Sequence, residues 1–159
     1  MNLSSVNEGP DAPLDADGHE DELRVPGLDE AAAFIEAVLA DPERPVVMFT
    51  IGTCSWCWAA RRFFREAGIA VTDFDLLTDA FTAGNRAARI RTALRERTGS
   101  RTLPQVFVGG TNVGGAEDLF EAFDSGRLTS LLQSVGITLD EEAALLRARD
   151  FLPNRPIAP

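Results

Sequence analysis

Pro45 is followed by an unbroken apolar run, Val46-Val47-Met48-Phe49, and a short loop then leads to Cys54-Ser55-Trp56-Cys57. A strand covered on one face alternates apolar and polar residues. A run without alternation suits a central strand buried on both faces. The chain must then supply helices for both faces, and its other patterns do so. Ala31, Phe34, Ile35, Val38 and Leu39 recur at i, i+3, i+4, i+7 and i+8, one helical stripe that starts near Asp29 and ends at Asp41-Pro42. A second helix follows the cysteines, carries Trp58, Ala59, Phe63 and Phe64, and ends at Gly68. Ile69 to Leu76 reads as a second strand, and a polar loop over 78–85 leads to a third helix with Ala87, Ile90, Ala93 and Leu94 on its buried face. Thr98-Gly99-Ser100 stops it.

Leu103 to Val108 reads as a strand with Pro104 at its entrance, and Gly109-Gly110 as a tight hairpin turn into Thr111–Val113. Gly114-Gly115 opens a helix with Leu119, Phe120 and Phe123. Leu128, Leu131, Leu132 and Val135 make another helical stripe, closed by Gly136. The capping-box spacing of Thr138-Leu139-Asp140-Glu141 predicts a last helix over 139–151. One βαβ unit followed by a β-hairpin gives a mixed four-stranded sheet between two helical layers. This is the three-layer α/β/α, thioredoxin-like arrangement.

At 159 residues the chain is one domain plus tails. Its net charge of −10 is uneven. Residues 1–24 hold seven acids and one base, whereas residues 45–136 hold nine acids and ten bases. The segment 1–26 is expected to be an acidic, disordered tail, because it has too few large apolar side chains to offset the entropy of ordering. It contains His19, the only histidine. The domain proper is expected over 27–136, and 137–159 as a C-terminal helical extension and tail. Net acidity excludes binding of nucleic acid or anionic membrane through bulk charge. No apolar stretch reaches membrane length, and the N-terminus lacks the apolar core of a secretion signal. The expected location is the reducing cytoplasm, where a lone CxxC is more often catalytic or metal-binding than structural.

The two cysteines, the only ones in the chain, stand at a strand-to-helix junction. That points to redox chemistry. Cys54 would sit at the helix N-terminus, where free N–H groups favour a thiolate, so its thiol is expected to ionise below an ordinary one. Cys57, one turn inside, could attack a mixed disulfide on Cys54. A closed zinc site would need four ligands, and no second cysteine pair exists. Pro104 is either an edge-strand proline or a cis-proline beside the CxxC. Gly114-Gly115-Ala116-Glu117-Asp118 is either a plain helix start or one that holds a carboxylate on free N–H groups. Arg101 is either a solvated side chain or a bidentate partner for a carboxylate. Trp56 is expected to be exposed and able to stack on a substrate, and Trp58 to pack against the core.

Taken together, Cys54-Ser55-Trp56-Cys57, Thr102-Leu103-Pro104 and Gly114-Gly115-Ala116-Glu117-Asp118 resemble the CPYC or CSYC site, the TVP turn and the GG-x-D-D segment of glutaredoxins. Thr98-Gly99-Ser100-Arg101 resembles the TG-x-R stretch of the same family. The resemblance spans about 45–136. It implies a glutathione-dependent oxidoreductase that reduces protein–glutathione mixed disulfides and protein disulfides. By resemblance Cys54 attacks and Cys57 resolves. Trp56 is the active-site aromatic, while Leu103 and cis-Pro104 align the glutathione backbone. Arg101 meets its glycyl carboxylate, and Gly115, Ala116, Glu117 and Asp118 take its γ-glutamyl end. The partners would be glutathionylated or disulfide-containing proteins. Two departures stand out. Ile51 occupies the position of a lysine found in many members, leaving Arg61, Arg62 or Arg101 to compensate. Ser55 replaces the usual proline, as in members that can share a [2Fe–2S] cluster between two subunits. In that alternative Cys54 of each subunit, with two glutathiones, ligates the cluster and the chain is a dimer instead of a monomer.

Overall fold

The computed structural model describes residues 27–153; the expected acidic tail, with His19, lies outside the described residues. In chain order the elements are α1 (Leu28–Ala40), β1 (Val46–Thr50), α2 (Ser55–Glu66), β2 (Thr72–Asp75) and α3 (Asp79–Thr82). Then follow α4 (Arg86–Thr98), β3 (Gln105–Val108), β4 (Thr111–Gly114), α5 (Ala116–Ser125), α6 (Arg127–Ser134) and α7 (Glu141–Ala144). Single 3₁₀ turns occur at Ala83–Asn85 and Ala148–Phe151.

The four strands form one mixed sheet in the order β2-β1-β3-β4. β1 runs parallel to β2 and antiparallel to β3, and β3 and β4 form the hairpin. All five residues of β1 are buried, as its unbroken apolar run requires. Successive side chains of a strand point to opposite faces. Val46 and Met48 accordingly enter the core shared with α2, α5 and α6, through Ala60, Phe63, Phe64, Leu119 and Leu128. Val47 and Phe49 enter the opposite core, shared with α1 and α4 through Ile35, Leu39, Ile90 and Leu94.

Three local expectations are corrected by packing. The second strand is shorter than Ile69–Leu76, because β2 pairs with β1 only from Thr72 to Asp75. Ile69 is buried, but in the core cluster on the α2 side. The segment 78–85 is partly helical, since Phe81 packs edge-on against Phe34 and Phe74 at 6.1 Å. The predicted helix over 139–151 is broken into α7 and the turn Ala148–Phe151. The cap is also not the Thr138 that the capping-box spacing implied: Asp140 caps α7, accepting from Ala143 N–H at 2.8 Å. In an unbroken helix Ala143 and Ala148 would point about 140° apart. The break lets Ala143, Ala148 and Phe151 all enter one core cluster.

Candidate active site

The site is assembled by strand register. β1 and β3 are antiparallel, with Phe49 opposite Gln105. The exit of β1 therefore lies beside the entrance of β3. β4 returns next to that entrance, with Gly114 opposite Val106, and α5 begins two residues later. Three segments far apart in sequence thus meet at one edge of the sheet.

Cys54 is the N-cap of α2 in extended backbone, and its carbonyl accepts Trp58 N–H at 3.1 Å. Its sulfur is half-buried and lies 3.8 Å from the Leu103 carbonyl oxygen. The Leu103–Pro104 peptide is cis, one of the two alternatives open to the sequence. Cys57 has no solvent exposure. Burial pushes its thiol up to about 12, while the Ile51 N–H, 3.5 Å from the sulfur, acts in the opposite direction. The two thiols are free of a disulfide and chemically unlike: one is reachable, and the other is sealed and protonated at neutral pH.

A groove of about 470 Å³ runs from Leu103 and Pro104 to the start of α5. That size falls within the usual range for small-ligand sites, about 300–1,000 Å³. Trp56, Leu103, Pro104, Gly115, Ala116, Glu117 and Asp118 all line it. The Asp118 carboxylate also accepts the Gly115 N–H at 2.9 Å, which fixes the helix start. A Cβ on Gly114, whose φ is +113°, would collide with that carboxylate, so the residue must be glycine.

The polar part of the wall joins Thr98, Ser100 and Thr102, read from the sequence only as parts of motifs, to Gln105 and Asn112, which sequence reasoning missed. Gln105 organises it. Its amide donates to the Ser100 and Thr102 carbonyls at 2.9 and 3.1 Å, and its Oε1 accepts from Thr98 Oγ1 at 3.1 Å. The signal was a lone amide opening an otherwise apolar strand, because a buried polar group must find partners.

The tryptophan expectations are reversed in part. Trp56 lines the groove but also packs against the core, whereas Trp58 is 56% exposed. Trp56, Ala60, Phe63 and Ala67 share a helical stripe that would have shown this, while Trp58 shares its face with Arg61, Arg62 and Arg65. Arg101 is exposed and is not a lining residue of the groove. Nor are Arg61 and Arg62 free to replace the missing lysine. Arg61 bonds Asp73, Asp75 and Thr50, and Arg62 bonds Glu66 and the Asp150 carbonyl. Ile51 is partly buried and packs with the α1-side core cluster.

The glutaredoxin family model matches residues 46–113. Glutaredoxin-C4 of Arabidopsis thaliana is 36% identical over 102 residues, covering 63% of this chain and 68% of the relative. A glutaredoxin of Pseudomonas aeruginosa is 32% identical over 90 residues, covering 57% of this chain and 98% of the relative. Among solved structures, the buckwheat glutaredoxin–glutathione complex superposes with a TM-score of 0.62 at 26% identity, covering 70% of this chain and 94% of that one.

Proposed function

The chain belongs to the glutaredoxin family, and on that premise we propose that this glutathione-dependent thiol oxidoreductase works through Cys54, with Cys57 resolving. The observation that carries this assignment is the asymmetry of the two thiols. Cys54 is accessible at the groove, and Cys57 is fully buried with its proton held.

In this reading the Cys54 sulfur attacks the glutathione sulfur of a glutathionylated protein. A Cys54–glutathione disulfide forms, and the protein thiol leaves with a proton. A second glutathione then attacks the glutathionyl sulfur, leaves as glutathione disulfide and restores the Cys54 thiol. On the dithiol route Cys57 gives up its proton and attacks the Cys54 sulfur, expelling glutathione. Two glutathiones reduce the resulting Cys54–Cys57 disulfide and become glutathione disulfide.

The groove offers what such a ligand needs. The Leu103 carbonyl lies 3.8 Å from the Cys54 sulfur, and in this reading the Leu103 backbone pairs with the peptide. The first-turn N–H groups of α5, at Ala116 and Glu117, suit a carboxylate. Asp118 suits the γ-glutamyl amine. Arg101 directly precedes the lining residue Thr102 and is the cation we assign to the glycyl carboxylate. The buckwheat relative was solved with glutathione, which supports the same ligand here. A [2Fe–2S] cluster needs four sulfur ligands. Each chain offers only Cys54 to it, because Cys57 is sealed, so a cluster would require a second chain and external thiols. Ser55 in place of the usual proline is what points toward that reading, and the asymmetry of the two thiols favours disulfide exchange.

The test is turnover of a glutathionylated thiol, coupled to glutathione reductase, for the wild type, Cys54→Ser and Cys57→Ser. Cys54→Ser should abolish turnover, and Cys57→Ser should leave it largely intact. Equal loss in both variants would overturn the single-thiol step. No turnover by the wild type would overturn glutathione as the reductant.

A further inference from the structure

The loop before Cys54 is held more tightly than its exposure warrants. Gly52 has both backbone groups engaged by side chains. Its N–H donates to Asp75 Oδ1 at 3.1 Å, and its carbonyl accepts from Trp58 Nε1 at 2.6 Å. Asp75 Oδ1 also accepts the Leu77 N–H at 3.0 Å. The two holders are themselves joined by Arg61. Its guanidinium stands 5.0 Å from the Trp58 ring centroid, and its Nη2 lies 3.3 Å from Asp75 Oδ2.

Arg61 is anchored in turn. Its Nε donates to Asp73 Oδ2 at 2.5 Å and its Nη2 to Thr50 Oγ1 at 2.7 Å, while Thr50 Oγ1 donates to Asp73 Oδ1 at 2.6 Å. The Arg61 side chain is only 15% exposed, so this network differs from a solvated surface pair. Gly52 is required for the fit, because a Cβ there would stand 2.9 Å from Asp75 Oδ2. The neighbouring residue, Ile51, directs its N–H at the Cys57 sulfur. The held loop therefore carries a donor that faces the resolving thiol.

Resting on the function proposed above, we propose that Trp58, Arg61 and Asp75 are positioning residues that clamp Gly52 and thereby set the Ile51 N–H and the Cys57 sulfur for closure of the Cys54–Cys57 disulfide. In that closure the Cys57 sulfur loses its proton and bonds to the Cys54 sulfur. The Cys54–glutathione bond breaks, and glutathione leaves with a proton. The single-thiol route uses only Cys54, whose carbonyl accepts Trp58 N–H and whose N–H donates to the Ile51 carbonyl at 3.2 Å; both are backbone bonds outside the side-chain clamp, and the route does not need the Cys57 sulfur aligned. The clamp thus governs how glutathionylated enzyme divides between the two routes.

Closure can be read without turnover. The full chain is glutathionylated chemically on Cys54, free glutathione is removed, and acid-quenched samples are followed by intact mass. Trp58→Phe keeps an aromatic ring over Arg61 and deletes the donor to Gly52. It should slow closure about tenfold, the effect of losing one well-placed hydrogen bond, while turnover with excess glutathione stays within about twofold of wild type. Trp58 is exposed, so this variant should fold. Asp75→Asn keeps the acceptor for Gly52 and should close faster than Asp75→Ala. Unchanged closure in Trp58→Phe and Asp75→Ala would overturn the clamp. So would a parallel loss of both rates, which would make the network merely structural. Failure of the glutathione reading appears separately, as absent wild-type turnover.

Discussion

Two residues show how a single side chain's surroundings set its chemistry. Cys57 ionises near 12 in the folded chain, against an ordinary value of 9.0. Between those values the folded state binds the proton that the unfolded state has lost. Its contribution to stability is therefore fully present below pH 9 and falls as pH rises toward 12, by about 1.4 kcal/mol per pH unit at most. The chain has no tyrosine and no lysine, so few other groups titrate in this window. Denaturant midpoints from pH 8 to 11 should fall more steeply for the wild type than for Cys57→Ala, and equal slopes would remove Cys57 as the cause. Ile51 stands partly buried where many relatives by resemblance carry a charge. A lysine stem can keep that packing while its head reaches water. Ile51→Lys should lower the KM for glutathione about tenfold, the value of one charged hydrogen bond. An unchanged KM would mean that a second cation adds nothing to the contact assigned above to Arg101.

Among the elements, the C-terminal turn Ala148–Phe151 is the one whose role depends most on a single side chain. Phe151 is 2% exposed and meets Phe63 edge-on at 5.4 Å and Phe120 in a stacked contact at 6.2 Å. Arg62 lies 4.8 Å above its ring and donates to the Asp150 carbonyl at 3.2 Å, closing the turn onto α2. Phe151→Ala should cost about 3–5 kcal/mol, the usual range for emptying a buried aromatic site, measured by urea unfolding. A loss under 1 kcal/mol would show that the segment is only loosely laid on the core. The opposite helical layer is tied differently. Arg97 holds Glu36 of α1 through two hydrogen bonds at 2.7 and 3.2 Å and keeps its carboxyl below the ordinary range. That pair is too exposed to hold the layer, and Ile35 and Leu39 against Ile90 and Leu94 do so instead.

At the scale of the molecule, topology does the assembling. An antiparallel β1/β3 pair in the middle of the sheet brings the exit of one strand to the entrance of the other. That single fact puts Cys54 beside cis-Pro104, and the hairpin then adds the start of α5. The groove lies along this edge, while the clamp on Gly52 is built from β1, β2 and α2. The two cysteines can thus be served by different parts of one sheet. Among the described residues no helix is long and apolar enough to cross a membrane.

Sequence patterns by themselves determined the central strand, the two helical layers, the CxxC at a helix start and the glycines before α5. Each of these rests on short-range periodicity or on backbone freedom, and both are written in neighbouring residues. The tertiary structure alone decided what the two tryptophans touch: Trp56 lines the groove, and Trp58 Nε1 reaches the Gly52 carbonyl. It also broke the last predicted helix, because Ala143, Ala148 and Phe151 had to share one surface. Arg61 illustrates the limit most clearly. Its charge reads in sequence as a possible ligand for glutathione, but Asp73 and Asp75, brought beside α2 by the β1/β2 pairing, had already claimed it.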